Sequence, residues 1–136
     1  MTTITPAVIP CLMYRDAHAA IRWLCDVIGF TEQAVYEDDS GGIAHAQLVL
    51  GRGMVMLGSV KENDYGQQIR QPDDVGAETQ SPYVVVADPA AVFERAKANG
   101  AEIVVDYRAE EYGGEHFTMR DPEGHLWNIG SYDPFA

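Results

Sequence analysis

Ala7-Val8-Ile9-Pro10-Cys11-Leu12-Met13-Tyr14-Arg15-Asp16 and Pro82-Tyr83-Val84-Val85-Val86-Ala87-Asp88-Pro89 are two versions of one pattern: a run of strand-forming residues stops at an aspartate, and helical spacing follows. An aspartate carboxylate accepts the unpaired amide hydrogens of a first helical turn, so Asp16 and Asp88 read as N-caps. Pro89 falls at the first helical position, where a missing N–H does no harm. In the first copy Ala17, Ala20, Ile21, Leu24, Cys25 and Ile28 recur every three or four residues, which predicts a helix over 17–28 with one apolar stripe and Gly29 as its stop. In the second copy Val92, Phe93 and Ala96 mark the stripe of a helix over 89–99, ended by Gly100.

Strand-like segments follow each helix, at about 31–36, 43–50 and 54–60 in the first copy and 102–105, 115–120 and 125–132 in the second. Ser40-Gly41-Gly42 and Gly51-Arg52-Gly53 are turns between them. Asp121-Pro122-Glu123-Gly124 is another, because proline presets φ and glycine permits a positive one. Each copy is therefore a β-α-β-β-β module, over about 5–60 and 81–133, joined by a polar, aperiodic connector over 61–80. The predicted fold is α+β, one domain over 1–136: two tandem modules form a curved mixed sheet around a cavity, with the helices on the outer face.

With 136 residues the chain has room for one such core. Lys and Arg total 9 against 21 Asp and Glu, a net charge of −12. A surface this acidic repels phosphate backbones and anionic lipid heads, which argues against nucleic acid and membrane partners. No apolar run approaches the roughly 20 residues of a membrane span. Met1-Thr2-Thr3-Ile4-Thr5-Pro6 has no basic region followed by an apolar stretch, so no secretory leader is expected. Cys11 and Cys25 form no disulfide framework and no CxxC motif, which fits a reduced cytoplasmic setting.

The chain resembles the vicinal-oxygen-chelate superfamily, which includes glyoxalase I, extradiol dioxygenases, fosfomycin-resistance enzymes and bleomycin-resistance proteins. The residues that carry the resemblance are Tyr14-Arg15-Asp16, Trp23 to Phe30, Ala98-Asn99-Gly100-Ala101-Glu102-Ile103, Arg120-Asp121-Pro122-Glu123-Gly124-His125-Leu126-Trp127 and the closing Gly130-Ser131-Tyr132-Asp133-Pro134. The resemblance implies the duplicated fold and, in enzymes of the family, a divalent metal held by His, Gln or Glu from four cavity strands. Carried over one at a time, those positions fall near Pro10, at Met56 or a neighbour, near Ser81 and at Asn128. None has the usual ligand chemistry, so the fold is expected without its metal, and no cofactor is expected. A different metal set built from His45, His116 and Glu115 or Glu37 has no short ligand spacing to support it.

If Met56 and Asn128 point into the cavity, strand alternation assigns their neighbours. Met54 joins Met56; Leu126, Gly130 and Tyr132 join Asn128; Tyr83 follows Ser81. In segment 43–50, Ala46, Leu48 and Leu50 form an apolar face suited to the helix, which turns His45 and Gln47 to the cavity. His116, Thr118 and Arg120 alternate with Phe117 and Met119, so the polar set faces the cavity or solvent. The candidate ligand-binding residues are thus His45, Gln47, Met54, Met56, Tyr83, His116, Asn128 and Tyr132. His45 and His116 are the candidate bases for any metal-independent catalysis. Met54 and Met56 also read as core filler, and a strand histidine as a hydrogen-bonded structural group. Trp23 and Trp127 are expected in the core, His18 and His125 at the surface. A loop over 106–114, with Tyr107 and Tyr112, covers the cavity mouth or packs at its own base.

The functional expectation is a metal-free small-molecule binding protein of bleomycin-resistance type, sequestering an aromatic or cationic compound, working as a homodimer. The alternative is a glyoxalase- or dioxygenase-like enzyme with an atypical metal site or a histidine base.

Overall fold

In the computed structural model of the chain, which describes residues 3–136, both aspartates cap as expected. The Asp16 carboxylate accepts the Ala19 amide at 3.0 Å and the Asp88 carboxylate the Ala91 amide at 3.2 Å. Met1 and Thr2, the start of the segment read as carrying no leader, lie outside the described residues. Helix α1 is Ala17–Trp23 and runs into a π-helical turn, Leu24–Ile28, that ends at Gly29 with φ of 107°. The second module's helix is Pro89–Ala98, labelled α3 because the connector contributes a short α2 at Pro72–Val75.

The strands are β1 Cys11–Tyr14, β2 Thr31–Glu37, β3 Ile43–Leu50, β4 Gly53–Ser59, β5 Tyr83–Val85, β6 Glu102–Ala109, β7 Glu115–Arg120 and β8 Leu126–Gly130. They form two four-stranded sheets of the same topology, β1-β4-β3-β2 and β5-β8-β7-β6. The pairs β1–β4 and β5–β8 are parallel and the rest antiparallel, so each sheet is mixed. The duplication extends to register. Cys11 lies opposite Met56 as Tyr83 lies opposite Asn128. Pro10 O accepts the Met56 amide at 3.0 Å, and Pro82 O the Asn128 amide at 3.1 Å.

Several boundaries differ from the sequence reading. The run 7–14 is strand only from Cys11, with Pro10 joined through its carbonyl alone, because Pro10 lacks the N–H a strand would donate. The last strand stops at Gly130 rather than 132. Strand β6 runs on to Ala109, since Arg108 and Ala109 pair with His116 and Glu115. Gly113 and Gly114, at φ of 117° and 73°, then close a tight turn, so most of 106–114 is hairpin rather than loop. The connector contains a 3-10 turn, Gly66–Gln68, besides α2. Gln71 is buried there and donates to Met13 O at 2.9 Å.

One apolar core spans both modules. Ala46 and Leu48 face α1, with Leu50 at the core's edge, while Phe117, Met119, Trp127 and Ile129 face α3. The end of the α1 segment packs on α3, and Phe30 meets Trp127 edge-on at 6.0 Å. Trp127 is fully buried and Trp23 nearly so, as expected. His18 is half-buried, its Nε2 2.9 Å from Gly41 O. His125 overturns its expected surface position: it is 7% exposed. Its Nε2 lies 3.0 Å from Met13 O and its Nδ1 2.8 Å from Glu78 Oε2. The end of β1 crosses the Asp121–Gly124 turn, so a residue that is local to a turn in sequence is covered by a distant strand.

Candidate ligand-binding site

Each sheet packs one face on a helix, and the helices pack on each other. The opposite face of each sheet is therefore left open. Alternation fixes what it carries: Cys11, Met13, His45, Gln47, Val49, Met54, Met56 and Gly58 on the first sheet lie opposite one another in register. On the second sheet Tyr83, His116, Thr118, Asn128 and Gly130 do the same. All the sequence-derived residues but Tyr132, which lies beyond the end of β8, thus fall on two open faces, one in each module. Among the described residues no strand of one sheet pairs with a strand of the other.

On the first face the Gln47 amide nitrogen donates to Gln33 Oε1 at 2.7 Å, which leaves Gln47 Oε1 as acceptor for His45 Nε2 at 2.9 Å. The His45 ring stacks near Tyr36, centroids 6.4 Å apart and planes 21° apart. Met54 and Met56 are half-buried beside them. A depression of about 110 Å³ opens here, walled by Cys11, Met13, His45 and Met56 and by Lys61 and Tyr65 of the connector. Lys61 Nζ donates to Ala44 O at 2.8 Å, which holds the connector against the sheet. The sequence reading missed Lys61 and Tyr65, because an aperiodic connector gives no sign of the strand it will lie across.

The second face carries a longer polar chain. Asn128 Nδ2 donates to Ser81 Oγ at 2.9 Å and to Pro82 O at 3.1 Å, so its Oδ1 accepts the Thr118 hydroxyl at 2.8 Å. With its one proton committed, the Thr118 oxygen can only accept from His116 Nε2, at 3.2 Å. His116 Nδ1 lies 3.3 Å from Glu110 Oε1 without hydrogen-bond alignment, and it is the one buried side-chain polar atom left unpartnered among the described residues. The hydrogen bond from Arg108 holds the Glu110 carboxyl below the usual carboxylate range. Tyr83 stacks near His116 at 6.5 Å and donates to Tyr132 O at 2.7 Å, and Tyr132 meets Tyr112 edge-on at 5.1 Å. Burial pushes the Tyr83 phenol up. Arg120 instead bonds Glu102 at 2.7 Å, at the sheet's edge.

His45 and His116 are equivalent. Gln47 opposes Met56 as Thr118 opposes Asn128, and each histidine sits two residues before that partner and bonds it through Nε2. The His-x-Gln and His-x-Thr spacings were the signal in the sequence that could have linked them. Tyr107, read as a possible cover, lies on β6 instead. Its ring packs on Phe93 at 5.3 Å, and its hydroxyl donates to Glu115, which pushes its pKa up to about 12.

The four positions where family enzymes hold a metal do not fit one. The Pro10 carbonyl is bonded to Met56 N, Met56 offers only a thioether, Ser81 Oγ accepts from Asn128, and Asn128 Oδ1 accepts from Thr118. None is the imidazole or carboxylate that a divalent ion with open positions requires. Among the described residues no three His, Cys, Asp or Glu side chains converge.

Two β-α-β-β-β modules with paired open faces define a fold, and the comparisons give it a family. Residues 5–129 match the family model of the Glyoxalase/Bleomycin resistance protein/Dioxygenase superfamily, and the chain belongs to that superfamily. It is similar to TioX from Micromonospora sp. ML1, at 30% identity and a TM-score of 0.72 over 93% of this chain and 98% of that one. It shares its fold with the bleomycin resistance determinant encoded on transposon Tn5, at 19% identity and a TM-score of 0.64 over 95% of this chain and 99% of that one. An uncharacterized protein of Mycobacterium tuberculosis is 28% identical over 127 residues, 93% of this chain and 75% of that protein. Among the described residues no helix is long and apolar enough to cross a membrane.

Proposed function

We propose that the chain is a small-molecule binding protein that sequesters an aromatic or cationic compound without metal. The His45 face of one copy is set against the His116 face of a second, which makes the working unit a homodimer in a reduced, cytoplasmic setting. The observation that carries this reading is the pair of equivalent histidines. Each is held by a hydrogen bond and backed by a tyrosine ring, on an open face that mixes a few fixed polar groups with apolar and aromatic side chains. A few fixed polar groups among apolar and aromatic walls suit a planar ligand, and a net charge of −12 favours a cation. The likeness to a bleomycin resistance determinant supports the cation by fold analogy alone.

Thermal melts with ethidium, bleomycin and neutral aromatic counterparts test this. A bound cation should raise stability by about 2.7 kcal/mol at a hundredfold excess over Kd, and the combined His45→Ala, His116→Ala variant should lose most of that rise. No rise with any aromatic or cationic compound would overturn the reading. The second reading is a metal-independent lyase with His116 as base. It is favoured by the unpartnered Nδ1 beside Glu110, and it requires turnover of a thiol adduct that His116→Gln abolishes.

A further inference from the structure

We infer that the chain has a second ligand site of the opposite charge preference, a groove between the first sheet and the connector that takes a small amphipathic carboxylate. The groove holds about 450 Å³, within the range of small-molecule clefts. Met13, Val60 and Ile69 supply apolar lining, and Arg15, Lys61 and Arg70 supply cations against the carboxylates of Glu62 and Asp74. With Asp73, which pairs with Arg15, three cations stand against three carboxylates, a local balance in a chain where acids outnumber bases 21 to 9.

The cations are not equally engaged. Arg15 pairs with Asp73 at 2.8 Å and Asp74 at 2.9 Å, so its charge is already matched. Lys61 and Arg70 have no carboxylate within ion-pair distance among the described residues. Lys61 bonds Ala44 O, and Arg70 bonds the carbonyls of Gln67 and Ile69, both at 3.1 Å. A carbonyl takes a donor without neutralising its charge, so both side chains are positioned yet still attract an anion. A carboxylate between them would make charge-assisted hydrogen bonds, and its apolar tail would cover Met13, Val60 and Ile69. The groove adjoins the depression on the first open face through Met13 and Lys61, but its preference for an anion is separate from the function proposed above.

Calorimetry with three probes of one chain length, octanoate, octan-1-ol and octylammonium, separates charge from apolar burial. The expected order is octanoate first, with octylammonium at least about tenfold weaker. Arg70→Gln, whose own contacts are two local carbonyls, should weaken octanoate about five- to tenfold while leaving the melting temperature unchanged. Lys61→Gln should weaken it similarly, and the combined His45→Ala, His116→Ala variant should bind octanoate normally. Equal or tighter binding of octylammonium, no effect of Arg70→Gln, or loss of octanoate binding in the histidine variant would each overturn the site.

Discussion

Asp121 shows how much one buried carboxylate can organise. It is 5% exposed and accepts the Tyr14 hydroxyl at 2.6 Å and the Trp127 indole N–H at 3.0 Å. Its other oxygen takes the amides of Glu123 and His125 at 3.0 and 3.1 Å. One side chain therefore shapes its own turn and ties β1 of the first module to β8 of the second. Tyr14→Phe should cost about 1–3 kcal/mol in urea unfolding, because a buried acceptor loses a donor that water cannot replace. Burial, and then the Asp121 charge, push the Tyr14 phenol well above its ordinary 10.0. A raised folded value means this contribution is fully present below pH 10 and is lost as pH climbs toward the folded pKa. Tyr14→Phe should accordingly flatten the alkaline fall in melting temperature, and an unchanged alkaline limb would contradict the assignment. None of this was legible residue by residue. Asp121 read as a turn former and His125 as surface, because their partners Tyr14 and Met13 are more than a hundred positions away.

At the scale of the element the sequence spoke more clearly. Asp88-Pro89 announced a helix start, and the cap is there. Asp88→Ala should lower stability by about 1 kcal/mol in thermal melts, since Pro89 keeps the turn's φ while one amide loses its partner. Alternation also assigned faces correctly. Ala46 and Leu48 went to the core, and His45 and Gln47 to the open side, because one strand flank was wholly apolar. Boundaries were less legible. Pairing partners, not residue preference, decide where β6 ends, and Arg108 and Ala109 join the strand because His116 and Glu115 lie opposite. The apolar stripe already placed Leu24 and Ile28 in the core, but its 3.6-residue spacing does not show the wider π-helical turn at Leu24–Ile28, where Val27 is buried and Cys25 only partly so. The connector hid most, since Lys61, Tyr65 and Gln71 matter only through a sheet that their own segment does not pattern.

For the whole molecule the helix layer decides what a single chain can do. It joins the modules through their cores and leaves both candidate faces open, with Tyr36 60% and Tyr83 38% exposed. Strands β1 and β5 are edges, each paired on one side only. Exposed edges and aromatic faces invite a second copy. Light scattering should therefore give twice the 14.9 kDa chain mass at micromolar protein, and a monomer that still bound ligand would contradict the dimer.

The claim on which the rest depends is that hydrogen-bonded histidines, not a chelated ion, equip these faces. Elemental analysis of protein purified without chelator or affinity metal tests it most directly. The expected result is zinc, nickel, iron and manganese each far below one per chain, with the protein still folded and binding an aromatic or cationic compound. Near-stoichiometric metal that is released by His45→Ala or His116→Gln would contradict the account.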